Sequence, residues 1–193
     1  MLAGVNPHLA WYIARSAGIV AWALASASIL WGLALSTRLI RRRGVPAWLL
    51  DLHKFLGVMT IVAVGVHLLG LWGDTYVYFG WREMFMPMGS KWRPVAVLWG
   101  VVCTYLLVAI QLSSWAMRKL SRKLWHTIHL SSFFVFIGST VHAFQAGTDA
   151  MNMFVQWLTF TGATLVLFLV LFRLMAPRRQ RRSVAAVPGA VAA

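Results

Sequence analysis

The stretch LLDLHKFLGVMTIVAVGVHLLGLW, residues 49–72, decides the fold. It stays predominantly apolar for longer than the roughly 20 residues a helix needs to cross a bilayer, yet it carries two histidines, His53 and His67. Placed in the span Trp48–Trp72, it is joined by four similar stretches, about Ser16–Ser36, Pro94–Trp115, Leu124–Ala146 and Met151–Leu174. The chain is 60% hydrophobic and only 11% charged, which excludes both an ordinary soluble globule and a disordered chain. Its net charge of +14 is confined to short clusters between apolar runs, so it fits loops at a membrane surface and argues for no nucleic-acid partner. The expected fold is all-α, a polytopic bundle of about five transmembrane helices in a lipid bilayer.

Residues 1–176 read as one transmembrane domain and 177–193 as a basic, flexible cytoplasmic tail. Ala25-Ser26-Ala27 looks like a signal-peptide cleavage site, but the apolar run continues through Trp31 to Leu35, so the first stretch reads as a span. Alternating the loops places 14 of the 18 basic residues on one side, among them Arg38, Arg41–Arg43, Lys54, Arg118, Lys119, Arg122 and Lys123. Only Arg15, Arg82, Lys91 and Arg93 fall on the other. The positive-inside rule makes the first side cytoplasmic, with the N-terminus out and the C-terminus in, in the cytoplasmic membrane.

Ionisable residues at membrane depth are costly and by default mark function. His53 and His67 lie 14 residues apart on the second span, and His129 and His142 lie 13 apart on the fourth. At 1.5 Å per residue each pair is separated by roughly 20 Å along its helix. The two spans run in parallel, so His53 is expected level with His129 near the inner surface and His67 level with His142 near the outer one. Two facing imidazoles at each of two depths suit haem iron best, because a flat apolar cofactor between helices asks for little beyond axial ligands. With no C-x-x-C-H sequence, the haem is b-type and non-covalent.

Angular spacing agrees only for the first pair. Fourteen residues return to within about 40° of the starting face, but thirteen miss by about 140°. The fourth span therefore needs a bulge, kink or tilt, with Gly138 the suggested position. His126 offers an alternative to His129, with a similar angular miss and a poorer match in rise. A lone intramembrane histidine often only joins helices, and a bare or transported metal ion is the other alternative. The single Cys103 permits no disulfide and no cysteine-based metal site. The rival reading is therefore a cofactor-free polytopic protein, a metal-ion carrier or an assembly subunit.

The stretches LLDLHKFLGVMTIVAVGVH (49–67), KWRPVAVLWG (91–100) and LWHTIHLSSFFVFIGSTVHAFQAGTD (124–149) resemble the ferric-reductase-like transmembrane domain family. That family includes the membrane portions of ferric reductases and NADPH oxidases and the haem-binding subunit of the periplasmic methionine sulfoxide reductase system. The resemblance implies two haem b groups with His53, His67, His129 and His142 as iron ligands, and electron transfer across the membrane. It also sets a contrast, because ferric reductases and NADPH oxidases continue into a flavin- and nicotinamide-binding domain. Here some 17 basic and small residues follow the fifth span, with no G-x-G-x-x-G. The expected electron donor is then a separate flavoprotein or a quinol, and the acceptor ferric iron, oxygen or an outer-face partner reductase.

Arg15 and Arg93 are candidates to pair with the propionates of the outer haem, though Arg15 also reads as an ordinary snorkelling end residue. Gly57, Gly65 and Gly138 serve either haem approach or helix contact. The segment Gly73–Arg93 reads as an interfacial cap over the outer haem, with Met84, Met86 and Met88 packing there rather than binding metal.

Overall fold

The computed structural model describes residues 8–36, 47–75 and 77–175. Within them lie seven α-helices: α1 Leu9–Ser36, α2 Ala47–Gly73, α3 Trp81–Phe85, α4 Pro94–Trp115, α5 Arg122–Leu130, α6 Ser132–Ala146 and α7 Met153–Met175. No strand occurs among the described residues. Five segments are long and apolar enough to cross a membrane, with α5 and α6 together forming the fourth. The shortest, α4, has 22 residues, about 33 Å of helix, which covers a hydrocarbon core of about 30 Å. The chain is a multi-pass membrane protein. Arg38, Arg41–Arg43 and the tail 177–193 lie outside the described residues.

Helix ends follow local chemistry. Pro94 opens α4, where its missing N–H costs nothing. The Ser121 hydroxyl caps α5 by accepting from the Leu124 N–H at 3.2 Å. α1 begins at Leu9, seven residues before the apolar run at Ser16 suggests, so Arg15 sits inside the helix.

The fourth span is broken, and not at Gly138. α5 ends at Leu130 and α6 begins at Ser132. At the join the Ser131 N–H and hydroxyl both donate to the Ile128 carbonyl, at 3.1 and 2.6 Å. A serine pair that competes for helix carbonyls is a recognised cause of kinking. Two separate helices have no common angular register, which removes the 140° mismatch expected of a straight span.

α1 packs against α2, α6 and α7, while α4 packs against α2, α5 and α6. Trp22, Leu33, Phe136 and Val166 form a core joining α1, α6 and α7. Inside it the Trp22 indole donates to the Thr140 hydroxyl at 2.9 Å, avoiding the roughly 1–3 kcal/mol cost of a buried unpaired donor. Outward faces keep large apolar side chains exposed, as on α7 with Phe154, Trp157, Phe160 and Phe168. That is how a lipid-facing surface is composed.

The end of the bundle carrying residues 74–93 is called upper here, and the end carrying α5 lower. Residues 77–93 fold onto the upper end rather than extending away. Phe79 and Met84 are buried against Val97 and Val101 of α4. The Gly80 N–H donates to the Glu83 carboxylate at 3.0 Å, and the Tyr105 hydroxyl donates to the Phe85 carbonyl at 2.5 Å. Met86 and Met88 are exposed.

Candidate functional site

The four intramembrane histidines meet in two pairs. His67 of α2 faces His142 of α6, with ring centroids 6.4 Å apart and planes crossed at 87°. His53 of α2 faces His129 of α5 at 5.9 Å and 67°. His126 lies beside Trp125 and is exposed, with ring centroids 6.4 Å apart.

One local device sets three of these rings. His67 Nδ1 lies 2.6 Å from the Ala14 carbonyl, His53 Nδ1 3.0 Å from the Ser28 carbonyl, and His142 Nδ1 2.8 Å from the Ala96 carbonyl. A carbonyl only accepts, so each Nδ1 donates and each Nε2 keeps its lone pair free. Four residues after each of those carbonyls comes a glycine: Gly18, Gly32 and Gly100. A Cβ at Gly18 would stand 3.0 Å from His67 Nδ1, one at Gly32 3.1 Å from His53 Cε1, and one at Gly100 2.8 Å from His142 Cε1. The glycine removes the side chain that would keep an imidazole from its neighbour's backbone. Gly70 assists from α2: a Cβ there would lie 2.6 Å from the Ala14 backbone nitrogen, so α1 and α2 touch closely beside His67.

Sequence reading missed Gly18, Gly32 and Gly100, although a signal was present. Gly18 and Gly32 are 14 residues apart on α1, matching the 14 between His53 and His67 on the antiparallel α2. Of the glycines singled out beforehand, Gly138 faces Cys103 and Trp99, Gly57 faces Gln111, and Gly65 opens onto space. The first two serve helix contact.

His129 differs. Its Nδ1 is buried without a hydrogen-bond partner among the described residues, and so is the indole nitrogen of Trp125. Their rings stack at 5.1 Å.

His67 and His142 line a cavity of about 570 Å³ between α1, α2, α4 and α6, well within the size range of small-molecule sites. Trp22, Val64, Leu107 and Val135 supply apolar wall, and Phe79, Met84 and Trp92 of the upper segment contribute too. Arg15 also lines it, ion-paired with Asp149 and with its guanidinium 4.9 Å from the Trp11 ring. Arg93 stands at the same end, stacked on Trp92 at 5.0 Å and donating to the Gln145 carbonyl at 2.5 Å. Lys54 pairs with Asp51 at 3.0 Å.

The family described as ferric reductase like transmembrane component matches residues 17–140, more than half of the chain. This chain belongs to that family. Nothing among the curated proteins or the solved structures matches it significantly. Ferric-reductase-like membrane domains typically bind haem, and the match marks a membrane component of transmembrane electron transfer. The matched range includes His53, His67 and His129 and stops two residues short of His142.

The residues fit the group. Metal–imidazole bonds of about 2 Å on either side of one iron place two ring centroids about 6 Å apart, and the pairs stand at 5.9 and 6.4 Å. Haem iron brings four nitrogens of its own and asks the protein only for axial ligands. A bare ion needs more from the chain, and among the described residues no three of His, Cys, Asp and Glu come together.

Proposed function

We propose that this ferric-reductase-like chain conducts electrons across the cytoplasmic membrane through two haem b groups, from a donor at the inner face to an acceptor at the outer face. The observation that carries this reading is the pair of crossed imidazole pairs at two depths, each spaced for one iron. His67 and His142 would hold the upper haem, and His53 and His129 the lower. Haem iron, when bound, supplies a one-electron ferric–ferrous couple.

The remaining roles belong to the chain. Three backbone carbonyls accept from Nδ1 of His53, His67 and His142, which leaves Nε2 of each as the nitrogen with a free lone pair. The cavity wall around the upper site is mostly apolar, and Phe79, Met84 and Trp92 of the upper segment contribute to it. Arg15 in that wall and Arg93 beside it are the proposed partners of the upper propionates. The 14-to-4 basic asymmetry supports placing the lower end in the cytoplasm, with the N-terminus outside. The donor is a separate flavoprotein or a quinol. The acceptor is ferric iron, oxygen or a partner reductase at the outer face.

The visible spectrum of the purified protein tests the reading directly. A b-type Soret band that sharpens on reduction, at two haems per chain, is expected. A colourless protein from haem-sufficient cells would overturn it.

A further inference from the structure

The carbonyl–glycine device occurs three times, and the place where a fourth is due carries something else. On α4, Ala96 and Gly100 receive His142. Fourteen residues on, at the same helix face and about 21 Å further down, stand Ile110 and Ser114. Thirteen residues back from His142 on the opposing span stands His129, at the matching depth, and α4 packs against α5, which carries it. Ser114 thus occupies the glycine position. Its hydroxyl donates to the Ile110 carbonyl at 2.7 Å, and the Ser113 hydroxyl donates to the same oxygen at 2.9 Å. By this register the Ile110 carbonyl is the counterpart of the Ala96 carbonyl, two hydroxyls already donate to it, and a Ser114 Cβ stands where the pattern has a glycine. Of the four paired histidines, His129 is the one whose Nδ1 is buried without a partner among the described residues.

We propose that Ser114, with Ser113, withholds the Ile110 carbonyl from His129 and so raises the reduction potential of the lower haem above the value a glycine would give it. This rests on the haem reading above. A hydrogen bond from Nδ1 to a carbonyl pushes electron density onto the ring, strengthens Nε2 as a donor and favours ferric iron. Both upper ligands have that bond. Of the lower two, only His53 has it. The unanchored His129 makes the lower iron easier to reduce on the side where electrons enter.

The test is a potentiometric titration of the full chain carrying Ser113→Ala and Ser114→Gly together. The lower-haem midpoint should fall while the upper one holds, with haem content unchanged at two per chain. An unmoved or raised lower midpoint in a protein that holds both haems overturns this inference and leaves the proposed function standing. A chain that binds no haem overturns both. Should the double variant not fold, near-infrared magnetic circular dichroism of the ferric wild type decides. Two distinct ligand-to-iron charge-transfer energies are expected, the one lost in His129→Ala reporting the weaker axial donor, and coincident energies overturn the inference.

Discussion

The histidines stand in two separate pairs, so the site can be dismantled one pair at a time. On the proposed two-haem reading, replacing His67 or His142 with Ala should lower haem content from two per chain to one, with the lower haem retained, as haem quantification alongside redox titration would show. The glycines give a sharper check because helix propensity and packing disagree in sign. Gly→Ala within a helix normally stabilises by about 1 kcal/mol. At Gly100 the new methyl would meet His142 at 2.8 Å, whereas at Gly65 it would meet nothing within 4 Å. Gly100→Ala should therefore lose upper-haem occupancy several-fold while Gly65→Ala keeps it, and equal occupancy in the two would remove the cradle from the account. The ring planes make a further prediction. If each pair holds one haem iron as proposed, ring planes crossed at 67° and 87° would leave two iron d orbitals nearly degenerate, and both ferric haems should give strongly anisotropic low-spin electron paramagnetic resonance signals. Signals typical of parallel imidazoles would contradict the geometry.

Among elements, what hydropathy controls was legible and what hydrogen bonding controls was not. Pro94–Trp115 runs between the bounds that the apolar pattern and its opening proline set. α1 starts earlier than expected because a charge such as Arg15 ends an apolar run without ending a helix, here with Asp149 supplied from the α6–α7 turn. The break at Ser131 was hidden because two serines barely interrupt an apolar stretch, while the reason to expect a break, the 13-residue histidine spacing, was plain. The cradle glycines were hidden for another reason: in a membrane helix a glycine against an imidazole and a glycine against a neighbouring helix look alike in sequence. The 74–93 segment is held by side chain as much as by shape. Removing the Tyr105 hydroxyl with Tyr105→Phe deletes its bond to the Phe85 carbonyl, worth about 1 kcal/mol. Limited proteolysis should then cut between residues 86 and 93 faster than in the wild type, with the rest of the bundle intact. Unchanged cleavage would mean that burial of Phe79 and Met84 alone secures the segment.

For the whole molecule, direction is the property that neither ligand geometry nor packing supplies, and charge does. In the proposed topology the basic clusters put the lower pair, His53 and His129, nearer the cytoplasm. At the upper end Arg15 is ion-paired with Asp149 on the cavity wall and Arg93 stacks on Trp92. If the two sites act in series, removing the upper one should leave entry intact and block exit. Inverted membrane vesicles expose the cytoplasmic face, so a reduced flavoprotein or quinol added outside should reduce the lower haem in wild type and in His142→Ala alike. An acceptor trapped in the lumen should be reduced only by the wild type. Transfer to the lumen at the wild-type rate by His142→Ala would show that electrons leave by a route other than the upper pair, and reduction from the opposite face alone would invert the assigned topology.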